Sequence, residues 1–205
     1  MIRLVLLAFL ATGCKKQPET PAAATTTQAE AGPWAVLTRE WEGPYGGVPP
    51  LDQVKVEDFE PALQAAMASS LVEIRALADA QEPPTVENML IPWERSGGEL
   101  SRVMTAYGAW TSTMSSPEVR ELQAKMSPVL SAHFTKIWQD PALYARFEAL
   151  SKTDLTPVQR RIVDDVLHRF ALNGVALEEE KRARVAAISE ELAGLYDTFS
   201  NNLLA

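Results

Sequence analysis

Two histidines and a single cysteine are the residues best suited by type to metal or covalent chemistry, and their spacing limits what they can do. A hydrolytic zinc centre of the HExxH kind needs two imidazoles one helical turn apart with a carboxylate base between them, so that both nitrogens face one metal. His133, in Ser131-Ala132-His133-Phe134, and His168, in Val166-Leu167-His168-Arg169, lie far apart with no acidic neighbour at a ligand spacing. Neither is assigned a metal role. His133 stands beside Leu130, Phe134 and Ile137 and is predicted to be a satisfied packing histidine. His168 follows Asp164 and Asp165 on one helix face and is predicted to form a surface pair with them. Serines and threonines are plentiful, but none has a base and an orienting acid recognisable beside it, so no nucleophile is assigned. The pairs Gly46-Gly47 and Gly97-Gly98 lack the spacing of a phosphate loop. The run Glu178-Glu179-Glu180 followed by Lys181-Arg182-Ala183-Arg184 reads as a helix start, with acids in the first turn and bases paired to them in the next.

The cysteine has a different context. Met1-Ile2-Arg3 is a short positive region, Leu4 to Ala11 is an unbroken apolar run, and Ala11-Thr12-Gly13 brings small residues up to Cys14. That is an export signal over residues 1–13. The run is too short for a membrane span, which takes about 20 apolar residues. The arrangement resembles the lipobox of bacterial lipoproteins, in which the cysteine carries the lipid and becomes the mature N-terminus. Ala11 departs from the usual leucine of that pattern. The resemblance implies a lipid anchor at Cys14 and a periplasmic place in the cell envelope. Lys15, where an acidic residue would favour inner-membrane retention, points to the outer membrane. A lone cysteine also excludes an internal disulfide. Residues 14–32 hold runs of Ala and Thr with Pro, Gln and Glu and no apolar side chain larger than Ala beyond the cysteine, so they are predicted to be a disordered tether.

The remainder, 33–205, has the composition of a folded domain. The whole chain is 46% hydrophobic and 22% charged, and its net charge of −8 with no basic stripe argues against a nucleic-acid partner. Trp34, Trp41 and Tyr45 among Gly43-Pro44, Gly46-Gly47 and Pro49-Pro50 predict an ordered, non-helical loop docked by its aromatics. Phe59, Leu63, Ala66, Met67, Leu71, Ile74 and Leu77 recur at steps of three and four and predict a helix starting near Val56 or Glu57, with Pro61 in its first turn. Ser116-Pro117, Asp140-Pro141 and Thr156-Pro157 are caps followed by proline at the first helical position, and Gln159 completes a capping box with Thr156. Thr85 is a further cap, ahead of a helix that Pro92 should kink and that Leu100 to Trp110 could continue. Asn173-Gly174 ends the helix begun at Pro157. From about Leu177, Val185, Ile188, Leu192, Leu195, Phe199 and Leu203 stripe a last helix of roughly 40 Å at 1.5 Å per residue. Its stripe reaches Leu203-Leu204-Ala205 without a terminating signal, which reads as a chain cut inside a helix whose partner lies elsewhere in the polypeptide. No strand alternation of comparable length occurs, so the fold class is all-α.

Several blocks then resemble one family: Glu42-Gly43-Pro44-Tyr45-Gly46-Gly47-Val48-Pro49-Pro50, Val54-Lys55-Val56-Glu57-Asp58-Phe59-Glu60-Pro61-Ala62-Leu63, Pro84-Thr85-Val86-Glu87-Asn88, Trp110-Thr111-Ser112-Thr113-Met114-Ser115-Ser116-Pro117-Glu118 and Phe199-Ser200-Asn201-Asn202-Leu203. They are similar to the N-terminal part of the thimet oligopeptidase and peptidyl-dipeptidase family of zinc metallopeptidases, over about residues 38 to 205. The resemblance implies long antiparallel helices forming one wall of a deep-channel enzyme that hydrolyses short peptides. It also implies one Zn²⁺ in the full-length enzyme, bound by a catalytic region outside these residues, so that this chain alone binds no zinc and is inactive. The rival expectation is a non-catalytic helical lipoprotein that binds peptides or a protein partner.

Overall fold

The computed structural model of the chain describes residues 32–44, 47–114 and 116–203, and every regular element among them is helical. The expected all-α class is the observed one. The order is α1 (Ala35–Thr38), α2 (Val56–Asp79), a π-helical turn (Val86–Leu90), α3 (Ile91–Arg95), α4 (Gly98–Thr113), α5 (Pro117–Trp138), α6 (Pro141–Leu150), α7 (Pro157–Leu172) and α8 (Glu179–Leu203). The signal segment, Cys14 and all of the tether except Gly32 lie outside the described residues.

Three helix starts follow from side-chain chemistry at the caps. The Asp140 carboxylate accepts the N–H groups of Ala142 and Leu143 at 2.9 and 3.0 Å, and the Ser116 hydroxyl accepts that of Val119 at 3.4 Å. Thr156 and Gln159 form the reciprocal box: the hydroxyl accepts Gln159 N–H at 3.4 Å and the amide oxygen accepts Thr156 N–H at 2.9 Å. At the end of α7, Gly174 turns to φ +78° while its N–H reaches the Ala171 carbonyl and Val175 N–H reaches Phe170. That pair of bonds is a Schellman motif, which satisfies carbonyls the helix leaves open.

Three details differ from expectation. Pro61 sits past the first turn of α2, and the carbonyl it cannot serve belongs to Glu57, an exposed residue within reach of water. Thr85 does cap, with Asn88 as its reciprocal partner, but the turn it opens is a wide π turn that ends just before Pro92, which has no N–H to offer. Nor does the Leu100 segment continue that helix, because Ser96 is extended and Gly97, at φ +69°, starts α4 afresh. The loop at 33–50 contains a short helix, α1, whose Leu37 is fully buried while Trp34 packs on the same core. Gly47, at φ +109°, lies so close to Trp41 that a Cβ would fall 2.5 Å from its carbonyl oxygen.

Two apolar clusters make the core, and α2 belongs to both. Its first half, with Phe59, Leu63 and Met67, packs with Val103, Tyr107 and Met126; its second half, with Ile74 and Leu77, packs with Phe147, Val163 and Phe170. Trp93 stands edge-on to Trp138 and Phe147 in the second cluster, at 5.5 and 5.1 Å between centroids. Glu60 pairs with Lys125 and Arg75 with Asp140, both 65 positions apart, so α2 and α5 run in the same sense. Against α2, α4 runs the other way, since Gly97 meets Glu73 while Phe59 meets Tyr107 and Trp110. α8 makes its most extensive contacts with α5, and Gln139, just past the end of α5, donates to the Arg182 carbonyl in the first turn of α8 at 3.2 Å. These two helices are therefore antiparallel.

Candidate functional surfaces

The histidines do not form a site. His133 is 5% exposed on α5, edge-on to Phe134 at 5.2 Å, and its Nε2 is buried without a hydrogen-bond partner. It packs as expected but is not satisfied as expected. Burial, and next the Lys136 charge, hold its pKa below the usual histidine value. His168 is exposed on α7, and Asp165 pairs with Arg161 at 3.9 Å in place of it. One imidazole inside the core and one on a distant outer face cannot share a metal. Among the described residues no three His, Cys, Asp or Glu side chains converge on a cation position, and these residues do not fit a zinc centre. No described helix is long and apolar enough to cross a membrane.

The charged run at the start of α8 divides its work. Glu179 and Glu180 occupy the first turn, where their charges complement the helix dipole. Arg182, predicted to pair with an acid, instead donates to the Val175 carbonyl at 3.3 Å and so ties α8 to the end of α7.

Two features escaped the sequence reading. Where α4 meets α8, Tyr107 is buried and its pKa is pushed up to about 12, first by desolvation and then by the Asp197 charge. Asp197 Oδ2 is buried without a hydrogen-bond partner, and so, one turn along α4 from Tyr107, is Trp110 Nε1. Only a three-dimensional neighbour relation brings Asp197 to Tyr107, so no spacing rule could have found that pair. The second is an open groove of about 370 Å³ where the two core clusters adjoin, walled by Trp93, Phe134 and Trp138 with Arg169 at its rim. The aromatics were legible as core candidates, but their arrangement around a space was not.

A row of exposed apolar side chains lies on α8. No residue of this helix is fully buried; Ile188, Leu192, Leu195, Phe199 and Leu203 are 40% to 72% exposed. The residues of α8 with intermediate burial are Arg182, Val185, Ala186, Ser189, Ala193, Gly194, Asp197 and Asn201, so beyond Val185 its sheltered side carries small or polar side chains while the bulky apolar ones stand away from the core.

This helical body matches the family description of the neurolysin/thimet oligopeptidase N-terminal domain over residues 63–182, more than half of the chain. The chain belongs to the neurolysin/thimet oligopeptidase family. The matched segment begins in α2 and ends in the first turn of α8, so it holds all of the second cluster, most of the first and the caps at Ser116, Asp140 and Thr156. The chain is 32% identical to a dipeptidyl carboxypeptidase of Salmonella typhimurium over 161 residues, covering 77% of this chain and 24% of the relative. It is 30% identical to oligopeptidase A of the same organism and 29% identical to oligopeptidase A of Escherichia coli, with the same two coverages. The chain thus spans about a quarter of the length of these curated relatives.

Proposed function

We propose that this chain is the N-terminal part of a zinc-dependent oligopeptidase or peptidyl-dipeptidase that hydrolyses short peptides. The observation that carries the reading is the family match over 63–182, together with relatives named as oligopeptidase A and dipeptidyl carboxypeptidase. In this reading the zinc ligands come from residues outside these 205, and this domain helps to wall the channel that admits the peptide. The isolated chain is then expected to hydrolyse no peptide and to bind no zinc. A catalytic zinc site needs three protein ligands and an open position. The exposed side of α8 is available for the remainder of the enzyme to cover.

The same proposal places the enzyme in the cell envelope on a lipid at Cys14, periplasmic and held by the outer membrane. Support comes from the charged start, the apolar run and the small residues before the sole cysteine. The test is to express the complete coding region with and without Cys14→Ser, label the lipid, and assay a short fluorogenic peptide with and without a chelator. Chelator-sensitive cleavage and loss of lipid in the variant are expected. Stoichiometric zinc in the isolated 205-residue chain would overturn the first part, and lipid on the Cys14→Ser variant the second.

A further inference from the structure

The groove at the junction of the two clusters has walls of one chemistry and a rim of another. Trp93, Phe134, Ile137 and Trp138 offer apolar and aromatic surface, joined by Ile74, Leu100 and Met104, while Ser96, Gly97 and Ser101 border it along the start of α4. Arg169, reaching in from α7, lies with its guanidinium carbon 5.0 Å from the Trp138 ring centroid and forms no ion pair among the described residues. That is notable in a chain of net charge −8, where acids outnumber bases. Stacked on an indole, the cation is held in place with its N–H donors unused. Ser70, only 5% exposed, also lines the groove, and its hydroxyl makes no hydrogen bond to any described residue. Its oxygen is not one of the atoms sealed in the core without a partner; it faces Gly97 in the groove lining, where a ligand can accept its proton.

An apolar wall, an unpaired hydroxyl and an unpaired, pre-positioned cation together describe the complement of one ligand chemistry. We propose that the groove binds the free carboxyl end of a short peptide whose last side chain is aromatic or branched aliphatic. The side chain lies among Trp93, Phe134 and Trp138, the carboxylate pairs with Arg169, and the Ser70 hydroxyl donates to a carbonyl of the peptide. Glu73 already takes the Gly97 N–H at 2.7 Å on this side of α4, which leaves Arg169 as the group that answers the ligand's negative charge. The volume suits one large side chain with its own backbone, at the small end of the range of ligand sites, about 300–1,000 Å³. The inference deepens the peptide reading above by naming a binding point that works without the zinc centre. Its test therefore reads binding and not cleavage.

Titration of the full chain with N-acetyl-alanyl-phenylalanine, followed by tryptophan fluorescence, should give a saturable change as Trp93 and Trp138 are covered. The C-terminal amide of the same dipeptide should bind about tenfold more weakly, the loss expected for one charge-assisted hydrogen bond. Arg169→Gln should bring the acid down to the level of the amide without altering the circular dichroism, since Arg169 is exposed. Ser70→Ala should weaken both ligands and leave their ratio unchanged. No saturable signal, equal affinity for acid and amide, or an Arg169→Gln variant that still prefers the acid would each overturn the proposal. Binding without any peptidase activity in the complete protein would sink the enzymatic reading and leave this one standing.

Discussion

Single side chains separate residues that hold this domain together from those that merely sit in it. His133 Nε2 is buried and unpaired, so His133→Leu should be neutral or stabilising by about 1 kcal/mol in chemical denaturation, because it removes an unsatisfied polar atom from the core. The same histidine sets an acid response. Its folded pKa is depressed, so the unfolded chain takes up the proton first as pH falls. Its contribution to stability is complete above the unfolded value of 6.5 and is lost between there and the lower folded value. His133→Leu should flatten that part of the stability–pH curve, and a variant with unchanged acid sensitivity would rule the assignment out. From sequence, His133 could be placed in the core by its neighbours Leu130 and Ile137. The empty Nε2 could not be foreseen, since a hydrogen-bond partner comes from other elements and not from spacing along one helix.

The helix boundaries were the most legible part of the chain, because a cap is local chemistry. Ser116, Asp140 and Thr156 each act within three residues of themselves, and Gly174 bends only its own backbone. The π turn before Pro92 and the fresh start at Gly97 were not legible, since both depend on how the chain must turn to lay α4 against α2. Two substitutions test the local account. Asp140 serves the α6 cap through Oδ1 and Arg75 through Oδ2. Asp140→Asn keeps a capping oxygen and loses only the ion pair, and Arg75 is half exposed, so it should cost well under 1 kcal/mol. Asp140→Ala loses both and should cost about 1–2 kcal/mol. Equal costs in urea denaturation would show the cap to be idle. Gly174→Ala forces an L side chain into the left-handed region and sets its Cβ 2.8 Å from Leu177 Cδ1, which should cost about 1–3 kcal/mol and lower the melting temperature accordingly.

At the scale of the molecule, stability is concentrated in the two clusters and thins towards α8. Phe170 is fully buried against Trp138, Tyr144 and Phe147, so Phe170→Ala should cost about 3–5 kcal/mol. Leu192→Glu and Leu195→Glu, on the exposed face of α8, should each change the isolated chain by no more than about 0.5 kcal/mol while making it less prone to associate. Amide exchange should be fastest in α8 and slowest in α2, and a protected α8 in the monomeric chain would contradict this. The periodicity of α8 was plain in the sequence, yet its apolar stripe gave no sign that its large residues beyond Val185 would stay exposed. The sharing of α2 between the clusters has a further consequence. The exposed turn at Gln81 and Glu82 lies just after α2 and before every residue that α2 packs against in the second cluster. A protease nick there would yield two pieces, neither holding a complete cluster, because one keeps α2 and the other keeps its partners. Mixed together, they should recombine into a native-like complex with one shared melting transition, making this domain a natural split reporter.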